Sequence, residues 1–122
     1  MADLVGALER AVRLWPDRTA WTFDPGESLT FADVGRRAAG IAAALAERGV
    51  GPGDRVAVMM YNRAEFPLTW LALARLGAAM VPLNPQYRAE DAGHILEHSR
   101  AAAVVVTGDL ADRAFDVPVL LA

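Results

Sequence analysis

Apolar residues recur at helical spacing in some stretches of the chain and in short unbroken runs in others. Leu4, Leu8, Ala11, Val12 and Trp15 share one face at steps of three and four, which predicts an amphipathic helix over residues 3–14, stopped by Pro16. Thr19 to Phe23 is rich in β-formers and predicts a short strand. Asp24-Pro25-Gly26 is a turn signal, and Ser28 to Thr30 returns as its hairpin partner. Phe31, Val34, Ala38, Ile41, Ala42 and Leu45 then form one stripe on a helix over 31–48. Thr30 and Asp33 give it a capping box with the shorter acid, and Gly49 suits the left-handed position that ends it.

Past the turn Gly49-Val50-Gly51-Pro52-Gly53-Asp54 the pattern changes. Arg55 to Met60 carries a run that does not alternate, the signature of a strand buried on both faces of a parallel sheet. Asn62, with Glu65 three residues on, is the expected cap of the next helix. Pro67 lies in or near its first turn, Leu68 to Leu76 is apolar nearly all round, and Gly77 ends it; Trp70 is expected in the core. Ala79 to Leu83 predicts a second buried strand and Asn84-Pro85 its end. Ala89 to Ser99 predicts a helix with Ala92, Ile95, Leu96 and Ser99 inward, followed by a buried strand over 102–107, a short helix over 109–115 and a strand-like run over 117–121.

The fold class is therefore α/β: a partial parallel sheet with βαβαβ crossovers and flanking helices. Residues 1–30 form a helix plus a short strand pair, and 31–122 the βαβαβ unit, truncated in a following strand. Trp15 and Trp21 are placed to cover a sheet edge or a partner surface. An incomplete sheet leaves apolar surface and unpaired edges, so a homo-oligomer through the exposed edge, or marginal stability, is expected.

Composition removes whole classes of chemistry. The 122 residues contain no cysteine, and all 12 basic residues are arginine. Disulfides, thiolate zinc sites, cysteine nucleophiles, a phosphate-loop lysine and a Schiff-base lysine are excluded. A net charge of −3 argues against a nucleic-acid binder. The longest mostly apolar run, Phe66 to Leu76, is shorter than the ~20 residues of a membrane span. Asp3 and Glu9 interrupt any leader-like start, so the expected compartment is the cytoplasm.

Few residues carry candidate chemistry. His94-Ile95-Leu96-Glu97-His98 matches the letters of an inverted zinc-protease motif, but both histidines fall on the solvent side of their helix. Gly49, Gly51 and Gly53 follow a helix and precede a strand, the reverse of a dinucleotide loop. Asp54 is expected to satisfy loop amides and Arg55 to be a surface cation. Ser28 and Ser99 have no neighbouring base in any motif, so nucleophilic catalysis has no support.

Several stretches, taken in order, resemble the adenylate-forming superfamily of acyl-CoA synthetases, peptide-synthetase adenylation domains and luciferases. They are Trp15-Pro16-Asp17-Arg18-Thr19-Ala20, Leu29-Thr30-Phe31-Ala32-Asp33-Val34 and Gly49-Val50-Gly51-Pro52-Gly53-Asp54-Arg55-Val56-Ala57. Asn62, Glu65-Phe66, Leu76-Gly77-Ala78, Val81-Pro82-Leu83-Asn84-Pro85 and Ile95-Leu96-Glu97 follow in the same order. Leu83-Asn84-Pro85 resembles acyl-CoA ligases, where adenylation domains more often carry aspartate in place of Asn84.

The resemblance implies the N-terminal subdomain, roughly the first quarter, of a ligase such as a fatty-acid–CoA ligase. Such an enzyme joins a carboxylate to the α-phosphate of ATP with Mg²⁺ and then passes the acyl group to a thiol, usually CoA. The phosphate loop with lysine, the aromatic-Gly-x-Thr-Glu motif, the ribose-binding aspartate and the catalytic lysine lie in later segments of that family. The expectation is that this chain has no catalytic residue, binds none of ATP, Mg²⁺ or CoA tightly alone, and has the remainder of the parent enzyme as its partner. Asn84 to Arg88 follows a parallel strand where α/β sheets place ligands. Some CoA ligases border the CoA nucleotide with the next helix, which makes Arg88 and His94 candidate contacts to CoA phosphates. The alternatives are a stand-alone module that binds CoA or a nucleotide, and one that pairs with a second copy.

Overall fold

The computed structural model describes residues 3–23, 26–61, 63–110, 113, 115 and 117–121. The chain opens with helix α1 (Leu4–Leu14), whose N-cap Asp3 accepts from the Gly6 amide, and strands β1 (Thr19–Phe23) and β2 (Glu27–Thr30) form an antiparallel pair. Asp24 and Pro25 of the expected turn lie outside the described residues; Gly26 sits at φ 111°. Helix α2 (Phe31–Glu47) starts with the expected capping box: the Thr30 hydroxyl accepts from the Asp33 amide, and the Asp33 carboxylate accepts from the Thr30 amide. Gly49 follows its end at φ 90°.

The remaining elements are β3 (Arg55–Met59), α3 (Glu65–Arg75), β4 (Ala79–Leu83), α4 (Ala89–Ser99), β5 (Ala103–Val106), a 3₁₀ turn (Gly108–Leu110) and β6 (Val119–Leu121). The four strands are parallel in the order β4-β3-β5-β6. Starting at β3, the chain moves outward to β4 and then returns past β3 to β5. Side chains alternate along a strand, so the sheet has two separate cores. Val56, Val58, Met60, Ala103 and Val105 pack with α2 and α3 through Ala42, Leu45, Ala72 and Leu73. Ala57, Met59, Val104 and Val106 pack with α4 through Ala92 and Leu96. A third cluster joins α2 and α3 to α1 and the strand pair through Leu29, Val34, Leu68 and Leu71, with Trp21 partly buried against it. Arg37 ties these layers electrostatically, lying 3.6 Å from the Glu27 carboxylate and 3.2 Å from that of Glu65.

Two expectations are corrected. Trp70 is not core: its side chain is 46% exposed, because α3 buries Leu68, Thr69, Leu71, Ala72 and Leu73 and turns position 70 outward. Strand β4 is not buried as expected: it lies at the sheet edge, and within it only Leu83 is buried. Pro82 fits there because a proline lacks the N–H a second ladder would need. Of the helix expected over 109–115, residues 111, 112 and 114 lie outside the described residues; a 3₁₀ turn covers Gly108–Leu110. Asn62, the expected cap of α3, lies outside the described residues, and the N-cap position is held by Ala64 without a side-chain bond.

Candidate functional site

In an open α/β sheet, ligands bind beyond the carboxyl ends of strands whose connections leave toward opposite faces. Here β3 leads to α3 on one face and its neighbour β4 leads to α4 on the other. Between their carboxyl ends lies a crevice of about 410 Å³, lined by Met60, Phe66, Pro82, Leu83, Asn84, Pro85 and Tyr87. Its lining is mainly apolar, with Asn84 and Tyr87 as the residues that carry polar side-chain groups.

The loop forming one wall is built locally. The Asn84 side-chain oxygen accepts from the Gln86 amide at 2.9 Å, and the Asn84 carbonyl accepts from the Tyr87 amide at 3.0 Å. It is also tied from outside. Arg113, beyond β5, donates through Nη1 to the Pro85 carbonyl, with the Tyr87 carbonyl at 3.5 Å and Met59 Sδ at 3.9 Å. Sequence reasoning missed Arg113, because nothing local marks an arginine whose partners lie 26 and 28 residues away.

Arg88 is the N-cap residue of α4, and its side chain is 88% exposed with Asp91 3.7 Å away. His94 is exposed on the same helix, its ring stacked on His98 with centroids 6.3 Å apart. His94 lines a shallow depression with Tyr87, Glu90, Asp91 and Ile95, and Arg88 is not part of that lining. The structure therefore does not gather Arg88 and His94 into one cradle. Glu90 and Asp91 already occupy the positive end of the helix dipole, which leaves Arg88 as the group with charge to offer an anion. Among the described residues no three of His, Asp and Glu are placed to hold a metal, so the residues present do not fit an Mg²⁺ site.

A second cavity of about 480 Å³ lies between α2, the start of α3 and the carboxyl end of β5. Ile41, Leu45, Val105 and Leu120 give it an apolar lining, with Arg37 and Glu65 among its polar residues. Thr69 also lines it; the residue is fully buried and its Oγ1 has no hydrogen-bond partner. Beside it the Thr107 hydroxyl donates to the Asp109 carboxylate, which holds that carboxyl below the ordinary aspartate range, with Arg63 and Arg113 as lesser causes.

Asp54 behaves as expected, accepting from the Gly51 amide at 2.8 Å, and exposed Arg55 donates to the Ser99 carbonyl. These residues hold turns and ends; none is positioned for bond making.

Comparison with known proteins agrees with this architecture. The profile of the AMP-binding enzyme family matches residues 8–121. The chain is 39% identical over 104 residues to the salicyl-AMP ligase / salicyl-S-ArCP synthetase of Mycobacterium tuberculosis, covering 81% of this chain and 18% of that protein. It is 39% identical over 103 residues to the 3-[(3aS,4S,7aS)-7a-methyl-1,5-dioxo-octahydro-1H-inden-4-yl]propanoyl:CoA ligase of Rhodococcus jostii, covering 84% and 20%. Klebsiella oxytoca NpsA in complex with 3-hydroxyanthranilyl-AMSN superposes with a TM-score of 0.90 at 24% identity, over all of this chain and 25% of that one, a likeness of fold. The chain spans about a fifth of the length of these curated relatives. By profile, sequence and fold, the chain belongs to the AMP-binding family of adenylate-forming enzymes and has the fold of their N-terminal subdomain.

Proposed function

We propose that the chain is the N-terminal portion of an ATP-dependent carboxylate–CoA ligase. The parent enzyme forms an acyl-adenylate and then a thioester, in the cytoplasm, on a substrate of the fatty-acid type. ATP and Mg²⁺ would be bound by later segments, since this chain has neither a lysine nor a metal-binding cluster among its described residues. Its own role is to scaffold the sheet and supply the acceptor side of the site. The observation that carries the reading is the placement of Asn84 to Arg88: an apolar crevice at the carboxyl end of β4, with an extended cation immediately beyond it. CoA has that chemistry, a flexible thiol arm attached to a phosphorylated nucleotide. Arg88 would leave Asp91 to meet a phosphate, and His94 offers a second contact on the same helix. The likeness to a propanoyl:CoA ligase supports CoA, and the likeness to a salicyl-AMP ligase that is also an ArCP synthetase defines the competing acceptor.

The test is to express the uninterrupted reading frame and assay carboxylate-dependent ATP–pyrophosphate exchange, then acyl transfer to CoA and to a phosphopantetheinyl carrier protein. The reading expects thioester on CoA, and a higher KM for CoA with little change in exchange when Arg88 becomes Ala. Transfer to the carrier protein alone overturns the CoA assignment.

The alternative, a self-associating module, draws on the edge at β6, a strand of three residues with Val119 37% exposed. Pro82 blunts the opposite edge. Light scattering of the purified chain decides: a concentration-dependent dimer supports it, and a monomer at all concentrations removes it.

A further inference from the structure

The loop that walls the crevice is held by a residue that does not line it. Its internal bonds, both to Asn84, define a turn but do not fix where that turn sits relative to the sheet. Arg113 supplies the missing constraint. It reaches from the segment after β5, past Met59 of β3, to the Pro85 and Tyr87 carbonyls in the loop that follows β4. Both carbonyls belong to that loop, and both are approached by the same Nη1. A charged donor to carbonyl oxygens forms a stronger bond than a neutral one, and partial burial shields it from water. The Arg113 side chain thus ties the segment after β5 to the loop that follows β4, with Met59 of β3 beside it.

From this geometry we infer that Arg113 is a positioning residue: it holds the Asn84–Arg88 loop in the conformation that forms the crevice and points Arg88 outward. The inference deepens the proposed function and rests on it for the identity of the ligand. The placement of the loop rests on the contacts alone. Arg113 itself touches no ligand in this account. Its effect travels through the two carbonyls.

The experiment is backbone ¹⁵N relaxation and CoA titration by NMR on residues 1–122, comparing wild type with Arg113→Ala and Arg113→Lys. In wild type the amides of Gln86, Tyr87 and Arg88 are expected to be ordered, with S² near ~0.85. In Arg113→Ala they drop below ~0.6 while β3 and β5 are unchanged, and the lysine, which keeps one charged donor, restores them. CoA affinity falls about tenfold in the alanine variant and recovers in the lysine one, the scale of one charge-assisted bond. An equally ordered loop in Arg113→Ala, or loosening spread evenly over the sheet, overturns the inference. Should the alanine variant not fold, the Arg113 guanidinium resonances of wild type decide: slow Nη rotation and exchange support the tether, and free rotation overturns it. CoA binding by this chain alone is expected to be weak, so the CoA assignment is decided by the acyl-transfer assay and the role of Arg113 by the relaxation data.

Discussion

Gly35 and Val12 set the distance at which α2 crosses α1: a Cβ built on Gly35 would sit 2.9 Å from Val12 Cγ2. Valine is stiff at χ1 and cannot swing its methyl aside cheaply. Gly35→Ala gains about 1 kcal/mol of helix propensity but incurs an overpacking cost of about 1–3 kcal/mol. The net expectation is a loss of about 1 kcal/mol in urea unfolding. Gly40→Ala on the same helix meets nothing within 4 Å and should gain about 1 kcal/mol. If both variants gain, the close approach of α1 and α2 is wrong.

Thr69 keeps a buried hydroxyl without a partner in a helix whose neighbours are apolar. Replacing it with the isosteric Thr69→Val removes a desolvation penalty and costs little propensity. Stability should rise by about 1 kcal/mol in urea unfolding. A loss of similar size would show that the hydroxyl has a partner in solution.

Arg100 ends α4 in the left-handed region, at φ 57° and ψ 43°, where α2 and α3 are followed by Gly49 and Gly77. A side chain there is strained by contact of its Cβ with the carbonyl. Arg100→Gly should raise the thermal midpoint, by the equivalent of about 1 kcal/mol. An unchanged or lowered midpoint would show that the arginine side chain compensates for its backbone.

The Asp33 carboxyl is held below the ordinary aspartate range, first by the Thr30 backbone N–H and then by Arg36, 2.7 Å away. A carboxylate with a lowered folded pKa binds fewer protons than in the unfolded chain. Its stabilisation is therefore complete above the unfolded value, about 4, and is lost as pH falls through the folded value. Asp33→Asn should be less stable than wild type at pH 7, with the gap closing below pH ~4. A gap that stays constant into acid would assign the loss to shape rather than charge.

The local elements were legible because their signals are local. Thr30 and Asp33 read as a capping box and form one; Gly49 and Gly77 read as helix stops and adopt positive φ. The unbroken run Val56 to Met60 is buried on both faces of a parallel sheet, as its lack of alternation predicts. Strand order was not legible, because an apolar run over 79–83 fits either a central or an edge strand. Pro82 was the clue: a proline has no N–H to give a second ladder, and β4 is the edge strand. Trp70 misled because hydrophobicity alone does not say which side of α3 faces a core when nearly every position is apolar. The crevice was legible in part. Asn84 and Pro85 marked the end of a strand, but Met60, Phe66 and Arg113 reach the site only through tertiary folding, which no spacing in the sequence encodes.

The central claim is that these residues supply the scaffold and acceptor side of an adenylate-forming enzyme but not its adenylation chemistry. Carboxylate-dependent ATP–pyrophosphate exchange by purified residues 1–122, assayed with a panel of fatty and aryl acids, tests it most directly. The account predicts exchange indistinguishable from the protein-free blank; exchange above that blank would contradict it.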